Sequence, residues 1–425
     1  MEFVYSFPYS DFEPLKITKG EIVGIFETKK VDVNQDISFL IKDAISHPIA
    51  SLPLRDLAKK AKRILILSDD NTRATPTSRI LPYVLEELQV NEKKDIAILI
   101  ATGTHRALTP EEIQLKLGEE VVKTYDIYCH KWDSSDELFF MGKTSNLGID
   151  LWVNRLVRSA DLIIGIGSIM PHAVAGFSGG GKIVVPGICG EGTCGDMHWA
   201  MVSFRSEELL GTIDNPVRRI INEVATEVGL RFIINAILDS DGKVINIVAG
   251  DLIEAHRRGS SLSREIHKVI IPRRADLVIM DSYGTDLDYW QAIKAMTPAD
   301  IVMEDGGVVV HIAECKEGVS PSHPELLEYG YPPVSKVIEL VNRGIITKSV
   351  GAHMIQASRV LDRGKCILVS KGITAEEAKR LGFEWASTPQ EAYERAIEIL
   401  EKDRNTINIA ILRKAGDLLP IIGGK

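Results

Sequence analysis

Short, wholly apolar runs recur along this chain, each passing into a polar loop and then into a stretch with helical periodicity. The runs at 64–67, 96–100 and 162–166 have the length of strands, and their unbroken apolar character fits burial within a sheet. Helix starts lie between them. Thr75-Pro76 reads as an N-cap followed by proline at the first helical position, ahead of Ile80, Leu81, Val84, Leu85 and Leu88 at helical spacing. Thr109-Pro110-Glu111-Glu112 reads as a capping box with proline at the same place. Strand, loop and helix in steady alternation predict an α/β fold with doubly wound sheets. Residues 1–30 read as short strands and 37–45 as a first helix. Residues 205–268 read as a helix from Asn215-Pro216, a strand at 231–238, an Asp241-Gly242 turn, a second strand and a helix ending near His267. The pattern restarts near Ile270, with strands at 277–280, 308–312, 345–350, 366–370 and 407–412 and a helix from Tyr289 through Ala295. Thr374 with Glu377, and Thr388-Pro389 with Glu391, read as further capping boxes. The expected organisation is therefore two doubly wound α/β domains, 1–268 and 269–425, with the active site in the cleft between them.

Three of the predicted strands end in loops rich in chemistry: Asp69-Asp70-Asn71-Thr72-Arg73, Thr104-His105-Arg106, and the stretch from Pro171 to Lys182. In open α/β sheets ligands bind beyond the carboxyl ends of the strands, and helix N-termini there favour anions. The third loop is the most unusual. It places His172, Ser178, Lys182 and His198 among eight glycines between Gly176 and Gly195. Glycine at that density costs chain entropy and suits backbone that approaches a ligand closely, although turns alone also use it. Gly176 to Lys182 imitates a Walker A loop, but Ile183 stands where Ser or Thr would bind Mg²⁺, and Ile-Val-Val-Pro-Gly follows where a helix is needed. Nucleoside triphosphate hydrolysis is excluded. Lys182 is left as a point charge or a nucleophilic amine.

Composition narrows the partners. The 425 residues carry a net charge of −9 with no long basic run, which argues against nucleic acid. No apolar run reaches the length of a membrane span, no signal-peptide pattern opens the sequence, and five scattered cysteines fit a reducing compartment. The expectation is a cytoplasmic protein with no membrane partner. Cys189, Cys194 and His198 form a C-x4-C-x3-H cluster that could hold structural zinc, though no fourth ligand stands nearby in sequence. His105 could be a buried structural histidine and His172 a turn residue; His130 and His353 read as structural or peripheral.

Taken in order, Asp69-Asp70-Asn71-Thr72-Arg73, Gly103-Thr104-His105-Arg106, Pro171-His172, Ala175-Gly176-Phe177-Ser178-Gly179-Gly180-Gly181-Lys182, Pro186-Gly187 and His198 resemble the nickel-dependent lactate racemase family. Asp288-Tyr289-Trp290-Gln291-Ala292-Ile293-Lys294 resembles the same family. The resemblance covers about residues 60–300 by motif and the whole chain by length and domain order. It implies an N-terminal cofactor-binding domain and a C-terminal domain that contributes substrate contacts. It implies a nickel-pincer nucleotide, a pyridinium-3,5-bisthiocarboxylic acid mononucleotide carrying Ni(II), loaded by cofactor-biosynthesis enzymes. Lys182 would be joined to it through a thioamide and His198 would complete square-planar nickel. Asp70, Asn71, Thr72, Arg73, Ser178, Gly179 and Gly180 would also contact the cofactor. His105 and His172 would be the acid/base pair, and Arg73, Gln291 and Lys294 would hold the carboxylate of a small 2-hydroxyacid. Trp290 and Ala74 depart from the family, where Tyr and Pro are expected.

The chemistry makes sense of those residue types. The C2–H of a 2-hydroxyacid is barely acidic, so its removal as hydride avoids a carbanion. A base takes the hydroxyl proton, and a flat 2-ketoacid accepts hydride on either face. Each enantiomer then needs its own base near neutral pKa, which suits two histidines on separate loops. Square-planar N/S coordination suits Ni(II), and a lysine can clamp a carboxylate. The expected function is racemisation or epimerisation at C2. The alternatives are a non-catalytic two-domain binder of a nucleotide or organic anion, and a nicotinamide-dependent 2-hydroxyacid dehydrogenase. The second lacks a strand followed by G-x-G-x-x-G with an acidic residue at the usual offset.

Overall fold

The computed structural model describes residues 3–32, 35–89 and 94–423. Its contacts divide the chain into two α/β units whose segments interleave. One unit holds Lys30–Met201 and Gly211–Ile266; the other holds the segment through Lys29, Val202–Leu210 and His267 onward.

The unit around residues 30–266 is built on a six-stranded sheet in the order Val244–Gly250, Leu230–Leu238, Leu162–Ile169, Arg63–Asp69, Asp95–Ala101, Asp126–Cys129. All neighbours run parallel except the antiparallel pair at the Val244–Gly250 edge. The central strands are apolar because both faces are covered: every residue of Leu162–Ile169 is buried, and so are Ile64 to Asp69. Helices Ile37–Ser46, Thr77–Leu88 and Pro110–Leu117 contribute to one core with these strands. Strand order reverses around Arg63–Asp69, the first strand of the sheet in sequence, because later strands add on both sides of it. The pairings Asp69 with Ala101 and Ser68 with Ile166 bring three carboxyl ends level at that reversal. Ligands bind at such a switch point.

The other unit carries a wholly parallel six-stranded sheet ordered Glu384–Trp385, Lys365–Ser370, Met303–Ala313, Ala275–Asp281, Asn408–Leu412, Glu21–Phe26. Its last strand comes from the start of the chain. The sequence pattern drew one boundary near 269, whereas Glu21–Phe26 pairs with Asn408–Leu412 and Tyr5, Phe7, Tyr9, Phe12, Leu15 and Ile17 are buried in the same core as Leu277, Ile279 and Val310. Val202–Leu210 also packs in this unit, where the Ser206 hydroxyl donates to Asp300 at 2.6 Å.

Local signals fared unevenly. The Thr109/Glu112 and Thr374/Glu377 boxes form reciprocally, as expected. At Thr388 only half of the box forms: its hydroxyl caps the Glu391 amide, while the Glu391 carboxylate turns to Ser387. Thr75 does not cap, because its hydroxyl donates to the Asp69 carboxylate, and the helix starts after Pro76 without a side-chain cap. The strand expected at 345–350 is instead the start of a helix. Thr347 accepts from the Val350 amide and caps Lys348–Arg363, whose buried Val350, Met354 and Ile355 outweigh the β-branched run.

Candidate active site

In the unit around residues 30–266, all three polar loops leave the carboxyl ends of adjacent central strands. Asp70 follows Arg63–Asp69, Thr102 follows Asp95–Ala101, and Met170 follows Leu162–Ile169. They are tied together. His105 Nδ1 lies 2.6 Å from Asp70 Oδ2, with the two side chains 24% and 4% exposed. Asp70 Oδ1 accepts from the Thr72 amide at 3.1 Å and the Thr72 hydroxyl at 2.6 Å. Burial alone would raise the Asp70 pKa. The His105 and Arg73 charges and these hydrogen bonds outweigh it and hold the carboxyl well below its usual range. An ionised carboxylate only accepts, so whenever His105 is neutral its ring proton sits on Nδ1 and Nε2 carries the lone pair. Asn71 and Arg106 meet on Glu112, whose pKa falls to about 2, chiefly through the Arg106 hydrogen bonds. The Arg73 guanidinium donates back to the carbonyl and hydroxyl of Thr72. The Gly103 amide donates to the Gly187 carbonyl at 3.0 Å, linking the second loop to the third.

The third loop folds into a hairpin, Pro171–His172 against Gly176–Phe177. Gly176 has φ +76°, and a Cβ there would lie 2.0 Å from the Thr212 carbonyl oxygen, so only glycine closes the turn. Gly180, at φ +58°, packs its bare Cα against the His256 ring. These glycines answer to close packing of the loop on its own unit, where the sequence pattern suggested close approach to a ligand. Ser178 is likewise engaged internally: its hydroxyl donates to Ser168 O at 2.8 Å and accepts from the Met170 amide at 2.9 Å. The Gly180 amide donates to Asn235 Oδ1 at 2.8 Å, and the Gly179 carbonyl accepts from the Lys182 amide at 3.2 Å. Beneath the loop, buried Arg218 donates to the carbonyls of Ala175, Phe177 and Gly179, and His256 Nε2 lies 2.9 Å from Ser178 O. Burial pushes Arg218 down to about 9 and His256 well below its usual value.

His172 Nδ1 accepts from the Val174 and Ala175 amides, both at 3.2 Å, while Nε2 lies 2.6 Å from Lys182 Nζ. His198 is on the helix Glu191–Trp199, within electrostatic reach of Lys182 and His105. Burial, with those two neighbours adding to it and the Cys194 backbone opposing, lowers its pKa to about 3, and its shielded Nδ1 makes no well-formed hydrogen bond. A neutral imidazole with an uncommitted, desolvated nitrogen is the chemistry of a metal ligand. Cys189 and Cys194 are buried, burial raises both thiols, and Cys194 Sγ donates to Cys189 O at 3.3 Å. Among the described residues no group of three or more His, Cys, Asp or Glu side chains stands close enough to hold a metal. His130 is buried and bridges Cys189 O and Asn154, so its place is in the packing.

In the other unit Asp288 caps the turn Tyr289–Ala292 through the Gln291 amide at 2.8 Å, and Lys294 Nζ donates to Gln291 Oε1 at 2.6 Å. Trp290 is stacked between the imidazoles of His323 and His353, with ring centres 3.7 and 3.9 Å away. His353, expected to be structural or peripheral, is thus one side of the Trp290 stack. Asp70 as the partner of His105, and Arg218 and His256 as anchors of the glycine loop, carried no local sequence signal.

Two α/β units with open sheets, one gathering histidine, aspartate and lysine where its strand order reverses, have the build of an enzyme with its site at a switch point. Residues 10–209 match the model of the lactate racemase N-terminal domain and 270–412 that of the lactate racemase C-terminal domain. Lactate racemase of Thermoanaerobacterium thermosaccharolyticum is 35% identical over 303 residues, covering 70% of this chain and 71% of the relative. Lactate racemase of Lactiplantibacillus plantarum is 31% identical over 365 residues, 84% and 85% of the two chains. The solved apoprotein of the Thermoanaerobacterium racemase superposes with a TM-score of 0.87 at 28% identity, covering 99% of this chain and 100% of that one. A structural-genomics protein from Thermotoga maritima matches at 0.70 and 25%, covering 88% and 99%. The chain belongs to the lactate racemase family and is an isomerase of the racemase type. Among the described residues no helix is long and apolar enough to cross a membrane.

Proposed function

We propose that this chain racemises lactate or a closely related 2-hydroxyacid with a nickel-pincer nucleotide as cofactor. The observation that carries the proposal is the buried Asp70 carboxylate on His105 Nδ1, which presents Nε2 as a base at the switch point. The cofactor fits the residues on that side. His198, neutral and with a shielded Nδ1 that makes no well-formed hydrogen bond, would ligate nickel, and Lys182 would carry the nucleotide. Asp70 to Arg73 would bear on it from the first loop. Ser178, Gly179 and Gly180 would act by shaping the turn, since the Ser178 hydroxyl and the Gly180 amide are engaged within the unit. When bound, the group supplies the acceptor and donor of hydride. The chain supplies proton handling and position. His105 takes the substrate hydroxyl proton on one face, His172 serves the other, and Arg73, Gln291 and Lys294 hold the carboxylate. Loading calls for the enzymes that make the cofactor.

The test is the protein co-expressed with those enzymes, given each lactate enantiomer alone and followed by chiral chromatography. Both should approach the racemate, and His198→Ala should lose most of its nickel by metal analysis. A nickel-loaded protein that interconverts neither lactate nor other small 2-hydroxyacids would overturn the proposal, and undiminished nickel in His198→Ala would remove that ligand.

A further inference from the structure

Lys182 and His172 form a pair whose hydrogen-bond directions are over-determined. The hairpin sends two backbone N–H groups, from Val174 and Ala175, to His172 Nδ1. A ring nitrogen that accepts twice cannot itself bear hydrogen, and a neutral imidazole has only one N–H. That proton is therefore on Nε2. Nε2 stands 2.6 Å from Lys182 Nζ. An ammonium has three donors and no acceptor, so Nε2–H facing an ammonium would set donor against donor at contact distance. A protonated ring facing an ammonium would be worse, since two cations would meet at the same distance in a half-buried place. The arrangement closes only if Nζ offers a lone pair.

The backbone at both partners is fixed. Lys182 sits in the 3-10 turn Gly180–Ile183, whose entry is fixed by the Gly180 amide on Asn235 and the Lys182 amide on Gly179 O. His172 is fixed across the hairpin, opposite Gly176. Arg218 grips the carbonyls of Ala175, Phe177 and Gly179 between them and adds positive charge below the loop.

We propose that Lys182 stands in the unloaded protein as an unprotonated amine, with its lone pair held by His172 Nε2–H, and is thereby a selective site of acylation at neutral pH. This deepens the function proposed above, on which it rests for its biological purpose: a lysine that is to carry a cofactor through an amide-type bond must first be an amine. In the acylation the Nζ lone pair leaves His172 Nε2–H and forms the new N–C bond, the bond from the carbonyl carbon to the leaving group breaks, and the surplus proton of Nζ passes to solvent. His172 is a positioning residue in this event. It orients Nζ and disfavours the ammonium, which would set donor against donor.

The experiment uses the full chain expressed without cofactor-making enzymes, and the acetyl ester of N-hydroxysuccinimide in limiting amount at pH 7. Peptide mass spectrometry reads the occupancy of each lysine. An ordinary exposed lysine is unprotonated in only about one molecule in 10³ at that pH. Half-buried Lys182 should nevertheless be acetylated at least about tenfold ahead of Lys143, whose side chain is 63% exposed. His172→Ala should erase that lead, and His172→Gln, whose amide can still donate to Nζ, should restore part of it. Melting curves confirm that each variant is folded. Lys182 reacting no faster than Lys143 in the parent would overturn the proposal, as would an undiminished lead in folded His172→Ala. If His172→Ala does not fold, the parent and His172→Gln decide it. Because no cofactor or turnover enters the readout, selective acetylation in a protein that never racemises would count against the proposed function alone.

Discussion

Exchanging Asp70 for asparagine removes one charge and almost no volume, and the hydrogen bonds around the side chain dictate the consequence. The oxygen of the new amide can still accept from the Thr72 amide and hydroxyl, so the loop keeps its shape. The amide nitrogen then faces His105 Nδ1, which lies 2.6 Å from the carboxylate in the parent. An amide N–H2 only donates, so the imidazole must accept at Nδ1 and move its proton to Nε2. The lone pair that serves as base is then turned into the wrong ring position. The Asp70 side chain is 4% exposed, so solvent does not screen the loss. A hydrogen bond to a charged group contributes about 1.5–3 kcal/mol, which sets a floor of roughly 10- to 150-fold in rate. Fixing the wrong tautomer of a catalytic histidine can cost about 10⁴. Asp70→Asn should therefore lose on the order of 10²–10⁴ in kcat with KM little changed. The assay is racemisation from each lactate enantiomer with cofactor-loaded protein, with nickel content and melting temperature measured on the same sample. A folded, fully loaded Asp70→Asn that turns over within threefold of the parent would refute the role of His105 as an oriented base.

If Lys294 holds the substrate carboxylate as proposed, Lys294→Ala should cost about 2–5 kcal/mol in kcat/KM; the same change at exposed Lys143 is the control, and parity between the two would end the carboxylate role. Asp281→Asn should stabilise the protein above neutral pH. Burial raises the Asp281 pKa to about 7, against the backbone amides of Lys414 and Tyr283, from about 3.9 in the unfolded chain. Its favourable contribution is complete below about pH 4 and lost as pH rises through about 7, so the advantage of the variant should grow across that window and level off above it. Urea midpoints at pH 4.5 and pH 8 decide it, and an equal advantage at both would show that the carboxyl does not titrate there.

What could be seen in the sequence tracked the range of the interaction that made it. The strands at 64–67, 96–100 and 162–166 and the boxes at Thr109 and Thr374 are local, and their residues announce them. Three polar loops at three strand ends were legible for the same reason. The sequence pattern groups residues 1–30 with the N-terminal domain, and nothing local shows that Glu21–Phe26 pairs with Asn408–Leu412, almost the whole chain away. At Ile345-Ile346 the β-branched residues spoke for a strand, while the decisive contact was one hydroxyl on one amide three residues on. Asp70 reads in the sequence as a cofactor contact, and its hold on His105 appears only once the fold brings the two loops together. Arg218 sits in a helix of ordinary amphipathic pattern, and only the path of the glycine loop shows what its guanidinium holds.

The two histidines proposed for the opposite faces of the substrate are not equivalent in this structure, and the difference lies in what each offers Nδ1. His105 meets a carboxylate, an acceptor, so its proton is drawn to Nδ1 and Nε2 is a lone pair. His172 meets two amide donors, so its proton is driven to Nε2, where the Lys182 lone pair accepts it. A base on each face requires that the nitrogen each ring turns to the substrate be bare, and for His172 that is Nε2, since the hairpin amides occupy Nδ1. His105 satisfies that requirement as it stands, and His172 does not. Two changes would bring His172 into line: conversion of the Lys182 amine to an amide-type nitrogen, which no longer offers a basic lone pair to Nε2–H, and release of Nδ1 by the hairpin amides so that the proton can move there. The first is what cofactor attachment would do. The second asks only for a rotation of the imidazole within the Pro171–His172 and Gly176–Phe177 hairpin. On the proposed mechanism His105 would then be competent before loading and His172 after it, with His172 preparing Lys182 in the unloaded chain before the same ring serves the substrate.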